Sequence, residues 1–500
     1  ASATISGVEG RPVSVEVHVS VGLPGFSIVG LPDTSCRESR DRVRAAVLSS
    51  GLVFPQKRIT VNLAPSDLRK AGSALDLAIA VGLLVASEQL AAGAVDDRGY
   101  LGELGLDGTV RPVPGVLPMA MVVGAAELVV PVGSQNEARL VERHRVRAVR
   151  TLRELVDVFE ESAPWPDHPD RAPTVVPAPP PDLADVRGQP VARRALEIAA
   201  AGGHHLLMVG PPGGGKTMLA ERLPGLLGPL DNDAALRVTT VHSAGGQPLP
   251  ANGLVQTPPF RAPHHTSSLV SVVGGGTSTL RPGEISLASD GVLFLDELGE
   301  FPVPVLEALR QPLEQGAIRV ARAQAAATLP ARFLLVAAMN PCPCGFAPGP
   351  ACRCSEASLA RYARRVSGPI LDRLDLRVLV HPPSRAELLE LPPGECTAEV
   401  RRRVQVARRR ALERGVAANV ELRGSRLEEV ARFDPDARRL VERALDAGRL
   451  SGRGLARMRA VGLTIDDLRG GDGTLDGDVV SEALALRAEV DFMHHVRSAG

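Results

Sequence analysis

The sequence predicts an α/β protein: a central unit of alternating strands and helices, a smaller α/β unit before it and a helical region after it. Three observations predict this. Between residues 183 and 383, apolar runs of strand length ("LLMV", "GVLFLD", "FLLVAAM") alternate with helical stretches. The first 162 residues repeat the alternation, with "SVEVHVSV" and "RITVNLAP" beside the helical "SCRESRDRVRAAVLSSG" and "SALDLAIAVGLLVAS". Residues 384–500 read as mostly helical and rich in arginine. Between the first two units, residues 163–182 ("APWPDHPDRAPTVVPAPPPD") are dense in proline and have no apolar period, as expected of a semi-rigid linker.

Composition narrows the function classes. Fifty-seven basic residues balance 57 acidic ones, so any nucleic-acid contact must be local. Aromatic residues are scarce, which argues against stacking platforms for single strands. No apolar run reaches the ~20 residues of a membrane helix. The longest candidate, "ALDLAIAVGLLVAS", is short and carries Asp76. The first residues have neither a basic nor an apolar signal region, so the expectation is a cytoplasmic chain with reduced or metal-bound cysteines. Only three of the basic residues are lysine: Lys57, Lys70 and Lys216. A lysine kept against such a bias suits chemistry that arginine cannot do.

Lys216 stands in "GPPGGGKT", which fits G-x-x-x-x-G-K-[ST]. The run follows the strand "LLMV" and opens the helix "TMLAERL", expected to stop at Pro224. That is the context in which backbone N–H groups curl around phosphates. Gly210, Pro211, Pro212, Gly213, Gly214, Gly215, Lys216, Thr217 and Met218 are therefore the expected ATP-binding residues. Lys216 would reach the β- and γ-phosphates and Thr217 would ligate Mg²⁺. Downstream, "GVLFLDELGE" is a strand ending in an acidic pair: Asp296 would hold Mg²⁺ and Glu297 would polarise the attacking water. A third strand, "FLLVAAMN", ends in Asn340, a polar group suited to stand between nucleophile and γ-phosphate.

Together "GQPVARRALEIAAAGGHHLLMVGPPGGGKTMLAERLP", "FRAPHHTSS", "LRPGEISLASDGVLFLDEL" and "AAMNPCPCG" resemble the Mg-chelatase-like AAA+ ATPases of the ComM/YifB type. The resemblance covers nearly the whole chain. It implies an AAA+ core over residues 183–383, a C-terminal helical lid over 384–500, a homohexameric ring, and a DNA helicase that drives branch migration in natural transformation. It also assigns Arg373, in "LDRLDL", as an arginine finger reaching a neighbour's γ-phosphate. Arg453, in "LSGRGLARM", matches the sensor-2 arginine, acting in cis or in trans. The chain departs from the family at "VGLTIDDL", where Leu463 takes an arginine's place.

The same resemblance makes residues 260–286 a helix-2 insert and "GAIRVARAQAAATLPARF" a hairpin facing a central pore. Arg319 and Arg322 are its candidates for DNA phosphate, with a solvated hairpin as the alternative. The six arginines of "RRRVQVARRR" (401–410) either grip nucleic acid or form a paired, solvated face. Adjacent histidines rarely share a metal, so His264 and His265 are expected to pack or to bond within their loop.

Residues 1–162 resemble the Lon-protease-like domain of the ribosomal-S5-domain-2 kind. Its Ser–Lys dyad is not matched: Ala74 falls at the serine position, with Ser73 one place early, and "PGVLPMA" has no lysine. A non-proteolytic domain is expected, because the dyad needs an amine of lowered pKa.

Cys342, Cys344, Cys352 and Cys354 form two C-x-C pairs around a Gly/Pro-rich loop. Four thiolates suffice for a structural Zn²⁺, and reduced loop thiols are the alternative. Two further functions remain open from the sequence: a chelatase-type motor that drives metal insertion into a tetrapyrrole, and a Lon-related regulatory ATPase.

Overall fold

The computed structural model describes residues 1–168, 179–276, 280–322, 325–347, 351–365 and 368–487. Its centre is a five-stranded parallel sheet of β1 (Leu206–Val209), β2 (Phe260–Arg261), β3 (Val292–Leu295), β4 (Leu334–Met339) and β5 (Leu376–Leu379), in the order β2-β3-β4-β1-β5. All four residues of β1 and of β3, and all six of β4, are buried. A parallel sheet covered on both faces explains why these strands read as unbroken apolar runs rather than as alternating ones.

Register decides what meets at the edge of the sheet. Val209 pairs with Met339 and with Leu379, and Leu295 pairs with Ala337. The residues that follow β1, β3 and β4 therefore emerge side by side at the carboxyl edge, where ligands of open α/β sheets bind. Helix Pro190–Gly202 backs β1, with its proline in the first turn, where no N–H is needed. After the loop at Gly210–Gly215 come helix Lys216–Ala220 and a second short helix, Leu223–Leu227. Pro224 does not simply end the first helix: it occupies the first turn of the second.

The N-terminal region has a four-stranded sheet of Ser2–Ser6, Glu9–Ser20, Arg58–Ala64 and Gly25–Val29, in that order. Helices Thr34–Ser49 and Asp76–Ala86 pack with it in one apolar core. Asp76 is fully buried within this core; Arg42 pairs with it at 2.6 Å and Ser39 donates to it. A parallel sheet of Arg98–Tyr100, Glu127–Pro131 and Arg145–Val149 completes the region.

This region docks on the central unit. Gly115 N–H donates to the Ser243 carbonyl at 2.9 Å, and Asn136 to that of Ala251 at 2.7 Å. Glu137 accepts from Leu117 N–H at 2.8 Å and from the Ser243 hydroxyl. Burial pushes its carboxyl above its ordinary value. Val8 packs into the core beneath hairpin Ala317–Arg322/Ala325–Pro330, beside Ile318, Val320 and Leu329.

The C-terminal region is helical: Thr397–Glu413, Pro435–Asp446, Gly452–Arg469 and Gly477–Ala485 are its longer helices. The arginines at 401–410 largely fasten it to the centre. Arg403 pairs with Glu197 and Glu395, Arg401 and Arg408 donate to the carbonyls of Gly225 and Ala200, and Arg410 donates to Gly471. Arg402 and Arg409 remain exposed. Leu463 is fully buried on the Gly452–Arg469 helix and is part of the core.

Candidate functional site

The site lies at the carboxyl edge of the parallel sheet. Gly213 and Gly215 have φ of 78° and 83°, values that L side chains rarely adopt, so the turn from β1 into helix Lys216–Ala220 requires glycine there. Gly210 is required for a different reason: a Cβ there would lie 1.9 Å from the Val380 carbonyl oxygen. The Lys216 ammonium folds over this loop, 2.7 Å from the Gly210 carbonyl oxygen and 2.9 Å from that of Pro211. It also lies 3.1 Å from Oδ1 of Asn340. Burial lowers the Lys216 pKa, against the opposing pull of Asp296 and Glu297.

The Thr217 hydroxyl donates to Oδ2 of Asp296 at 2.8 Å. A hydroxyl and a carboxylate at this spacing, beside a phosphate loop, are the oxygen donors that Mg²⁺ takes together with phosphates and water. The donor set therefore fits Mg²⁺–ATP: Lys216 and the loop N–H groups for phosphates, Thr217 and Asp296 for the metal. Glu297 follows at φ 53°, its N–H bonded to Oδ1 of Asp296 at 2.9 Å. Its Oε2 lies 3.1 Å from Nδ1 of His265. His264 instead bonds within its loop, 2.8 Å from the Thr266 hydroxyl, as expected. Met218, on the helix after the loop, is exposed.

Three supporting residues escaped sequence reasoning. Gln189, in left-handed conformation at φ 56°, donates to the Gly214 carbonyl at 3.3 Å and to that of His381. Buried Tyr362 donates to the Asn340 carbonyl at 3.1 Å and packs where a side chain on Gly299 would clash. Gly345 sits against Pro212, so that a Cβ there would lie 2.5 Å from the proline ring. The only available signals were the Gln-Pro dipeptide before a helix and the glycine after the cysteine pair.

That last contact joins the cysteine loop to the phosphate loop. The four Sγ atoms of Cys342, Cys344, Cys352 and Cys354 all lie within 4.8 Å of one another. Cys342 is 3.3 Å from Cys344 and 3.8 Å from Cys352, and Cys344 is 3.6 Å from Cys352. A tetrahedron with Zn–S of about 2.3 Å has edges of about 3.8 Å, so the thiols fit such an ion.

Arg373 and Arg453 stand elsewhere. Leu206 pairs with Leu376 at the start of β5, so Arg373 lies at the opposite edge of the sheet from Gly210. Arg373 is buried and pairs with Glu314. Arg457 fixes the turn, donating to the Arg373 carbonyl at 2.9 Å and to Asp375 at 2.5 Å. Burial works against the Asp375 charge, yet His204 and Arg457 hold the carboxyl well below the ordinary range. Arg453 is exposed, 4.0 Å from Asp372. Neither arginine is therefore part of the Lys216 cluster. Arg319 is exposed on its hairpin, and the Arg322 side chain lies outside the described residues.

Residues 182–388 match the family described as "Magnesium chelatase, subunit ChlI", residues 15–134 "Subunit ChlI of Mg-chelatase", and residues 394–487 "Magnesium chelatase, subunit ChlI C-terminal". The chain belongs to the magnesium-chelatase family. Among similar relatives, the competence protein ComM of Haemophilus influenzae is 43% identical over 494 residues, covering 97% of this chain and 96% of ComM. The uncharacterized protein YifB of Escherichia coli is 42% identical, covering 98% of this chain and 97% of YifB. An uncharacterized protein of Mycobacterium tuberculosis is 45% identical, with 97% of each chain covered. A magnesium-chelatase-type AAA+ ATPase accounts for both the parallel sheet and the phosphate loop. Among the described residues no helix is long and apolar enough to cross a membrane.

Proposed function

We propose that this chain is a cytoplasmic, Mg²⁺-dependent ATP hydrolase. In our reading it works as a homohexameric ring and moves branched DNA during recombination of incoming strands. The convergence of Lys216, Thr217, Asp296 and Asn340 carries the ATPase reading. Lys216 and the loop N–H groups bind the triphosphate, Glu297 takes a proton from the attacking water, and Asn340 orients that water. The ring reading rests on the position of Arg373 and Arg453. Both lie at the sheet edge away from their own phosphate loop, which favours action in trans on a neighbour's nucleotide for each.

Full-length similarity to a competence protein supports the DNA reading, with exposed Arg319 as a phosphate contact. The arginine run at 401–410 is largely engaged within the chain and is a weaker candidate. The N-terminal region acts as a scaffold rather than a peptidase: the Ser73 hydroxyl donates to Glu103, and the Lys70 ammonium to the Pro65 carbonyl. The cysteine loop, which begins directly after Asn340, holds a structural Zn²⁺ that stiffens the backbone following that residue. A second reading, a chelatase-type motor for metal insertion into a tetrapyrrole, draws on the ChlI matches.

The test is the ATPase rate without DNA and with single-stranded, duplex and four-way-junction DNA. Mg²⁺-dependent turnover, stimulated most by the junction and lost in Glu297→Gln with ATP binding retained, is expected. Arg319→Ala should lose the stimulation and keep the basal rate. Turnover unmoved by every DNA, and no junction movement with any nucleotide, would shift the reading to the chelatase motor.

A further inference from the structure

The C-terminal helices enclose a cleft that the ATPase reading does not use. It holds about 750 Å³, within the range of small-molecule sites. Helix Pro435–Asp446 supplies Leu440 and Arg443, the loop after it Arg449 and Leu450, and β5 supplies Arg377. Arg487 closes the cleft because its segment runs beside β5, where Arg377 N–H donates to the Leu486 carbonyl at 2.6 Å. Guanidinium groups from separate parts of the chain thus line one concavity. Leu206 pairs with Leu376, so the cleft lies toward the sheet edge away from the Lys216 site.

The charge of these groups is poorly balanced within the chain. Among the described residues Asp372 is the one carboxylate that lines the cleft, and it is exposed and stands 4.0 Å from Arg453. Arg443, Arg449 and Arg487 form no ion pair among the described residues. Arg443 donates to the Arg439 carbonyl at 3.4 Å and Arg487 to the Asp375 carbonyl at 2.9 Å. A carbonyl satisfies an N–H group but leaves the cation's charge in place. The Asp375 carboxylate is itself taken by Arg457 at 2.5 Å. Burial, with Arg377 beside it, brings the Arg487 pKa down to about 10. Like charges gathered in a partly enclosed site repel, and an anion among them relieves the cost. Guanidinium groups bind phosphate oxygens through paired hydrogen bonds, so several around one cleft suit a ligand with more than one phosphate.

We propose that this cleft is a second anion site, separate from the Lys216 site, that takes a small molecule carrying a chain of phosphates. Inorganic polyphosphate and a nucleoside polyphosphate share that chemistry. Leu440 and Leu450 offer apolar wall that only the second would use, against its base.

The test is isothermal titration calorimetry with inorganic tripolyphosphate and with a non-hydrolysable ATP analogue. Wild type should bind two equivalents of the analogue per chain, Lys216→Ala one, and Arg443→Glu with Arg449→Glu one. All three changes together should leave none. Arg443 and Arg449 are exposed, so replacing them spares the core. In the Lys216→Ala background, Arg487→Gln should weaken tripolyphosphate binding at least about tenfold, the scale of a lost charged hydrogen bond. Tighter binding of the analogue than of tripolyphosphate in that background assigns a nucleotide; otherwise the inorganic chain is assigned. A short single-stranded oligonucleotide should not displace either, and displacement would move these arginines to a DNA path and overturn the small-molecule site. Arg453→Ala should keep the second equivalent at every protein concentration. Its loss in that variant, or on dilution, would make the cleft part of a neighbour's Lys216 site and overturn the proposal. A single equivalent in wild type, or a second one that survives Arg443→Glu with Arg449→Glu, does the same. If Lys216→Ala loses nothing, the nucleotide reading of the phosphate loop fails, while the arginine variants still decide the cleft.

Discussion

The Lys216 ammonium and the Asn340 side chain, 124 residues apart, meet at 3.1 Å because β1 and β4 are neighbours in register and each residue follows its strand's end. In the proposed mechanism the contact links the group that grips phosphate to the group that orients water. Asn340→Ala should therefore bind ATP with little change and turn over about 100-fold more slowly, the scale set by losing one preorganised polar group. Analogue binding and steady-state hydrolysis, measured on the same preparation, check this.

The four thiols make a separable prediction. Purified without chelator, the protein should carry about one zinc per chain, as a four-thiolate site requires. Cys342→Ser with Cys354→Ser should lose the metal, lower the melting temperature and weaken ATP binding, since Gly345 in the same loop rests on Pro212. Elemental analysis and calorimetry are the measurements. Metal-free protein, with a fully active double variant, would reduce the cluster to loop thiols.

Assembly is tested through Arg373. Alone, Arg373→Ala should lose roughly 10³-fold in turnover, the low end for a missing arginine finger. Mixed with Lys216→Ala protein, it should regain part of that loss, because mixed rings contain interfaces with both halves intact. Glu314→Gln should instead retain activity, since it weakens a contact that holds Arg373 within its own chain without removing the arginine. Sedimentation with ATP would show whether activity and ring formation rise together.

Glu137 should make the joint between the N-terminal region and the centre sensitive to pH. Burial raises its carboxyl pKa above the ordinary 4.5. Between 4.5 and the raised value the folded chain holds a proton that the unfolded chain has released. The sign follows: stability from this group is complete below 4.5 and is lost as pH rises through the folded value. Glu137→Gln keeps an acceptor for Leu117 N–H and the Ser243 hydroxyl and does not titrate. It should flatten this limb of the melting-temperature profile and melt no lower than wild type near neutral pH.

The sequence by itself determined the phosphate loop, the acidic pair after β3 and the asparagine after β4. Each is a local pattern: a strand of buried residues followed by a residue type that its chemistry demands. It likewise determined the parallel α/β centre, because strands buried on both faces cannot alternate apolar with polar residues. Tertiary structure decided everything that depends on which strands are neighbours. Tyr362 and Gln189 support the site from segments whose own sequence has no reason to be near it. The arginine run at 401–410 suits either a nucleic-acid grip or a paired face on sequence grounds, and folding spends most of it on the carbonyls and carboxylates of other helices. The paired histidines suit packing or bonds within their loop on sequence grounds, and only the adjacency of β2 and β3 also sets one of them against Glu297. A one-dimensional pattern records what a residue can bond to. Which partner it meets is fixed by strand order and register, and those are settled by the burial of the whole sheet.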